Sequence, residues 1–174
     1  NIHHAHELLC ASAEHDTYIG VGYMERAHHV VLAAKEFIEK HGCAKAEICC
    51  YWTATGKTYN LDTVQESSHA IDLAMFLLGP ALLVGSCKEG NEVTIRTDFE
   101  GGATCVIRMN MHEWPRRVLN LLGKDGEQFR EMYGETQEEW SECYKAELRA
   151  FLCGKPLCTG EDGLRVAEIL EALS

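Results

Sequence analysis

The sequence predicts an α+β fold: an open, mostly antiparallel sheet with helices packed on one face. Three observations carry this. Apolar residues recur at helical spacing towards both ends of the chain; in the middle their period falls to two; and Gly-containing turns separate the period-two runs. With 174 residues, 46% of them hydrophobic and only three prolines, the chain can bury one proper core and has little room for two.

Taken in order, residues 4–14 read as a helix with Leu8, Leu9 and Ala13 on one side, and residues 18–23 as a short strand. A second helix is expected over about residues 26–40, where Val30, Ala33, Ala34, Phe37 and Ile38 fall at i, i+3, i+4, i+7 and i+8, with Gly42 as its stop. The strand "AEICCYWTA" follows. After a polar loop, "SSHAIDLAMFLLG" reads as a buried helix with Ile71, Met75 and Leu78 inward, closed by Gly79 and Pro80. "ALLVGSC", "NEVTIRTDF", "GATCVIRMNM" and "RRVLNLLG" then read as consecutive strands of an antiparallel meander, with turns at residues 89–91, 100–102 and 124–126. The chain ends in two helices. Thr136 with Glu139, and Thr159 with Asp162, both fit the capping box, in which a hydroxyl and a carboxylate satisfy the exposed amides of a first turn.

Composition narrows the function classes. A net charge of −11, from 27 acidic against 16 basic residues, would be repelled by a phosphate backbone, so nucleic acid is not an expected partner. The longest apolar runs are far too short to span a bilayer, and "NIHHAHELLC" has neither a basic n-region nor an unbroken apolar stretch. No membrane association and a cytoplasmic location are expected. The nine cysteines, an odd number, sit in apolar stretches such as "AEICCYW" and read as reduced thiols. None of them pair at zinc-ligand spacing, so no metal is expected; His3, His4 and His6 read as surface and first-turn residues.

"TYIGVGYMERAHH" begins like a dinucleotide-binding turn, with an apolar strand running into Gly20-Val21-Gly22 and then a helix. Two requirements of that turn fail. Glu25 stands where a third glycine should let helix and strand approach, and its carboxylate would sit near the pyrophosphate. The next strand also ends in Tyr51-Trp52-Thr53, without the acid that binds the ribose.

The succession of "VGY" with Arg26 three residues on, the histidine-led helix "HAID", a strand-rich stretch ending in "LLGKDGE" and a terminal helix opened by "GEDG" resembles the C-terminal part of the Gfo/Idh/MocA family. The resemblance covers nearly the whole chain, in order. It implies an NAD(P)-dependent oxidoreductase acting on a sugar, sugar derivative or cyclitol. It also implies that residues 1–22 are the last helix and closing strand of a Rossmann domain, and that residues 23–174 form the substrate-binding and oligomerisation domain. The glycine-rich turn and the family's catalytic lysine would precede Asn1, so NAD or NADP would belong to the full-length enzyme and none would be bound by this chain. The chain alone is then expected to be inactive, either as part of a longer enzyme or as a relative that has lost its cofactor half. A small-molecule sugar-type substrate and a homo-oligomer formed through the open sheet face are the implied partners.

The resemblance assigns site residues one at a time. His69 matches the family histidine beside the substrate hydroxyl, where a neutral imidazole can take the proton as hydride leaves; read without the family, it is a core histidine on an apolar helix. Four residues earlier the family often has an aspartate, and here Gln65 can hydrogen-bond but not accept a proton. That departure favours the alternative function, a non-catalytic binding or scaffold protein derived from the family. Asp72 would fix the imidazole tautomer or cap neighbouring backbone. Tyr23 and Arg26 match the segment leading to the active site; Arg26 would suit a substrate carboxylate or phosphate, or pack across the domain junction. Trp114, in "NMHEWPRRV", would line the substrate pocket, make an oligomer contact or cover the sheet edge.

Overall fold

The computed structural model describes residues 2–53, 67–89, 92–112 and 116–173. Its centre is a six-stranded sheet in the order β2-β3-β4-β1-β5-β6, made from β1 (Lys45–Thr53), β2 (Ala81–Glu89), β3 (Glu92–Phe99), β4 (Thr104–His112), β5 (Arg116–Leu122) and β6 (Gln128–Tyr133). Among the described residues five helices accompany it: α1 (Ile2–Glu14), α2 (His29–His41), α3 (Ser68–Leu78), α4 (Gln137–Leu152) and α5 (Gly160–Ala172).

The expected α+β architecture is present, with one change of topology. β2, β3 and β4 form an antiparallel meander, but β1 inserts between β4 and β5, parallel to the first and antiparallel to the second. Periodicity within a strand reports which face is buried and carries no information on its neighbour, so the insertion has no local signature. β6, which the sequence reading did not name, pairs antiparallel with β5 across the 124–126 turn. Its burial pattern is mostly exposed, with Tyr133 alone fully inward, which leaves little alternation to read.

One face of the sheet carries the core. Ile48, Ile95, Ile107, Met109 and Leu119 point inward and meet Val31 and Ala34 of α2 and Ile71, Leu73 and Ala74 of α3. Each fully buried aliphatic side chain contributes about 1.5–3 kcal/mol. α3 lies against β1 and β4, α2 against β6, and α5 joins α3 to α1. The opposite face is open and polar. There Arg108 donates to Glu47 at 2.9 Å and to Glu92 at 3.2 Å, and Asn120 donates to Glu47 at 2.9 Å, so one charged ladder links β3, β4, β1 and β5.

Residues 18–23 do not form a strand. They make a single bridge between Gly20 and Thr159, with Val21 N–H donating to Cys158 O at 3.1 Å; among the described residues no further strand runs beside them. The second helix also starts later than expected. A 3-10 turn, Met24–Ala27, comes first, and His28 caps α2 by accepting from Val30 N–H. Gly42 ends α2 at φ +64°, as its position required. At α5 the capping box of Thr159 and Asp162 is complete. At α4 only half forms: Thr136 accepts from Glu139 N–H, while the Glu139 carboxylate takes the amides of Gly134 and Glu135.

All nine cysteines are thiols outside any disulfide. Burial raises several of them, Cys50 to about 12 and Cys143 to about 11, which keeps these inert. Among the described residues no helix is long and apolar enough to cross a membrane, and no three His, Cys, Asp or Glu side chains converge as a metal site.

Candidate functional site

The chain changes direction at Tyr23, whose N–H turns back to Val21 O at 2.8 Å before the 3-10 turn begins. This tight turn drives two neighbouring charges into the interior: Glu25 is 3% exposed and Arg26 7%. Buried charges must be paired to persist. Arg26 donates through Nε and Nη2 to the two oxygens of Asp72, at 3.0 and 2.6 Å, and through Nη1 to Leu157 O at 2.8 Å and to Asp162 Oδ2 at 3.0 Å. Its guanidinium also lies 5.1 Å from the Phe76 ring centroid. One side chain thus ties the 3-10 turn to α3 and to the entry of α5.

Glu25 faces the other way. Its Oε2 accepts from Tyr133 Oη at 3.0 Å and its Oε1 from Arg117 Nε at 3.4 Å. Arg117 is only 6% exposed, because it occupies an inward position of β5 on the same face as Leu119 and Leu121. Burial, followed by the Glu25 charge, holds the Tyr133 hydroxyl well above the usual tyrosine range, so it stays a donor.

His69, the second residue of α3, sits above this pair with its side chain 31% exposed. Tyr23 meets its ring edge-on, centroids 5.2 Å apart. The His69 Nδ1 is buried, has no hydrogen-bond partner among the described residues and lies 4.0 Å from Glu25 Oε1. Burial, then the charge of Asp72, pushes the Tyr23 phenol up to about 12, so at neutral pH it donates and does not act as a base.

Of the residues singled out from sequence, Tyr23 and His69 come together, and Arg26 and Asp72 pair beside them. Asp72 is bound by Arg26, not by His69, and among the described residues the carboxylate facing the imidazole is Glu25. The geometry commits the Arg26 guanidinium to Asp72, Leu157 O and Asp162, all within residues 23–174. Gln65 and Trp114 lie outside the described residues. Glu25, Arg117 and Tyr133 are additions. An arginine at an inward position of "RRVLNLLG" was the available signal, since it obliges some buried acid to face it.

One of the two glycines before the turn serves packing. That holds for Gly20 alone, where a Cβ would stand 2.7 Å from the Phe151 ring and 3.2 Å from Pro156; a Cβ on Gly22 would meet nothing within 4 Å, and neither glycine has a positive φ. Glu25, at the third-glycine position, is sealed in by Arg117 and Tyr133. These residues therefore do not fit a pyrophosphate cradle.

No protein-family model matches the sequence, and no curated protein does. Solved structures do match. A UDP-N-acetylglucosamine 3-dehydrogenase from Acidithiobacillus ferrooxidans superposes with a TM-score of 0.75 at 14% identity, over 99% of this chain and 66% of its own. A probable dehydrogenase from Thermotoga maritima gives 0.82 at 16%, over 99% and 67%. A scyllo-inositol dehydrogenase from Lactobacillus casei, solved with NAD(H) and scyllo-inositol, gives 0.80 at 14%, over 99% and 66%. Two of these three are, by their names, dehydrogenases of a sugar nucleotide and of an inositol, and the likeness gives this chain their fold. The chain spans about two thirds of the length of the structures it matches.

Proposed function

We propose that this chain is the substrate-side and assembly domain of a Gfo/Idh/MocA-family NAD(P)-dependent oxidoreductase that oxidises a carbinol of a sugar, sugar derivative or cyclitol. The observation that carries the reading is a fold shared over 99% of the chain with dehydrogenases of such substrates, together with a half-exposed histidine set against a buried carboxylate inside it. In this reading the nicotinamide supplies the hydride chemistry and is held by chain outside these residues. The share of this chain is the proton: His69 takes it from the substrate hydroxyl as the carbonyl forms, with Tyr23 beside it as a hydrogen-bond donor to the substrate.

The domain division belongs to the same proposal. α1 has no buried residue, and Leu8 and Tyr18 are 61% and 47% exposed. A cavity of about 450 Å³ opens beside Gly20, Val21 and Gly22, walled by Tyr144, Leu148 and Phe151 of α4. Such a flank suits the continuation of a nucleotide-binding sheet along residues 18–22, with residues 1–22 as its last helix and strand. Subunit association would use the open face of the sheet, where the Arg108 ladder is flanked by shallow cavities of about 420 and 580 Å³.

The test is His69→Asn in the complete enzyme. A general base contributes on the order of 10²–10⁴ in rate, so kcat should fall at least a hundredfold with KM changed only a few-fold. Turnover unchanged within a few-fold would remove His69 from the chemistry. The second reading, a non-catalytic binding or scaffold protein, is favoured by Gln65, and sugar binding without turnover in the natural sequence would select it.

A further inference from the structure

We infer that Glu25 is a positioning residue for His69, holding the imidazole as the Nδ1–H tautomer so that Nε2 is left as the proton acceptor. The inference rests on the reading of His69 as the base. Nothing in the sequence pattern assigns Glu25 a part in it; the assignment comes from three features of the structure.

The first is an unmet requirement. His69 Nδ1 is buried without a hydrogen-bond partner among the described residues, and leaving a buried polar nitrogen unpaired is costly, so the site calls for an acceptor or donor there. The second is that an acceptor stands opposite it. Glu25 Oε1 is 4.0 Å away, so a side-chain adjustment of roughly 1 Å brings the two to hydrogen-bond distance. The third is spare capacity. A carboxylate offers about four lone-pair sites, and the contacts that fix Glu25 are Tyr133 Oη at 3.0 Å and Arg117 Nε at 3.4 Å. Arg117 neutralises the buried charge and Tyr133 orients the carboxylate through Oε2; Oε1, which among the described residues accepts only the long Arg117 contact, retains a lone pair for the imidazole.

The tautomer follows from the chemistry. A carboxylate accepts and cannot donate, so a neutral imidazole facing it carries its proton on Nδ1 and its lone pair on Nε2. The edge-on Tyr23 ring at 5.2 Å limits rotation about the imidazole axis and keeps this orientation. Asp72, the carboxylate on the same helix, is turned away and committed to Arg26.

The experiment is nitrogen-15 NMR of the imidazole in the full chain, assigned by loss of the signal in His69→Asn, at a pH where the ring is neutral. Wild type should show a protonated Nδ1 and an unprotonated Nε2. Glu25→Gln, which offers a donor where the acceptor was, should lose that pattern, and Glu25→Asp should retain part of it. In the complete enzyme Glu25→Gln should lower kcat tenfold or more, within the roughly 10²–10⁴ that the base itself supplies, while KM moves only a few-fold. A wild-type His69 protonated on Nε2 overturns the inference whether or not the Gln variant folds. So does a tautomer that Glu25→Gln leaves unchanged, even if His69→Asn abolishes turnover and the reading of His69 as base survives. A tautomer that depends on Glu25 while His69→Asn turns over normally upholds the positioning role and removes the base assignment instead.

Discussion

Replacing Arg26 with methionine tests the structural half of the account. The side chain keeps its length and apolar stem but loses all four hydrogen bonds, two of them to Asp72 at 3.0 and 2.6 Å. Side-chain exposure is 8% for Arg26 and 2% for Asp72, so this pair is not screened by water and is counted in full. The contact to Asp162 involves a carboxylate that is 30% exposed and is discounted to a few tenths of a kcal/mol. Stranding a buried charge costs about 3–5 kcal/mol, and for a chain of this length that lowers Tm by about 6–20 °C. A pH dependence should accompany it. Burial already pushes the Asp72 carboxyl above the usual range against the pull of Arg26, and without Arg26 the push of burial and of the Asp162 charge is opposed only by the weaker hydrogen bond from Cys158. The unfolded carboxyl then ionises at lower pH than the folded one, so the variant's deficit is largest at neutral pH and shrinks as pH falls through the raised value. Urea unfolding of both proteins at about pH 5 and about pH 7.5 reads this directly. A deficit under about 1 kcal/mol, or one equal at both pH values, would refute the buried pair as the tie between the 3-10 turn, α3 and α5.

Two further outcomes follow from the same packing. His28 is buried, accepts from Val30 N–H through Nδ1 and has its pKa lowered, first by burial; the neutral ring is favoured in the fold, so its contribution is complete above the unfolded value of about 6.5 and is lost as pH falls below it. His28→Asn keeps a capping oxygen without a titrating ring, so its unfolding free energy should depend less on pH below about 6.5 than that of wild type, and parallel curves would contradict the assignment. Gly134 has φ +76° and a Cβ there would collide with the Trp140 indole. Gly134→Ala should therefore cost about 2–4 kcal/mol, with a change in tryptophan fluorescence as Trp140 gives way; an unchanged Tm would show that the turn can relax.

Much of the fold was legible because it is written in local patterns. The alternation of Val93 with Ile95 and of Cys105 with Ile107 and Met109 marks the inner sheet face, Gly42 and Gly79 stop their helices, and Thr159 opens α5. What escaped depends on distant partners. β1 pairs with β4 over a separation of 59 residues, Lys45 with Thr104, and nothing near either strand encodes the choice. Residues 18–23 have strand composition, but a strand requires a neighbour, and the described residues give them one bridge. At the site, His69 and Tyr23 could be singled out by motif. The carboxylate facing His69 could not, since Glu25 comes from a turn 44 residues earlier and is explained only by Arg117 and Tyr133 on two later strands. The paired arginines of "RRVLNLLG" carried the one local hint, because alternation obliges one of them to face inward.

The most direct test of the central claim is to supply the complete gene product with NAD+ or NADP+ and a panel of cyclitols, free sugars and sugar nucleotides, and to follow formation of the reduced nicotinamide. Turnover is expected with at least one of these alcohols, with kcat collapsing in the His69→Asn variant. Tight binding of a sugar-type ligand with no reduction of either nucleotide would contradict it and leave a binding protein built on a dehydrogenase fold.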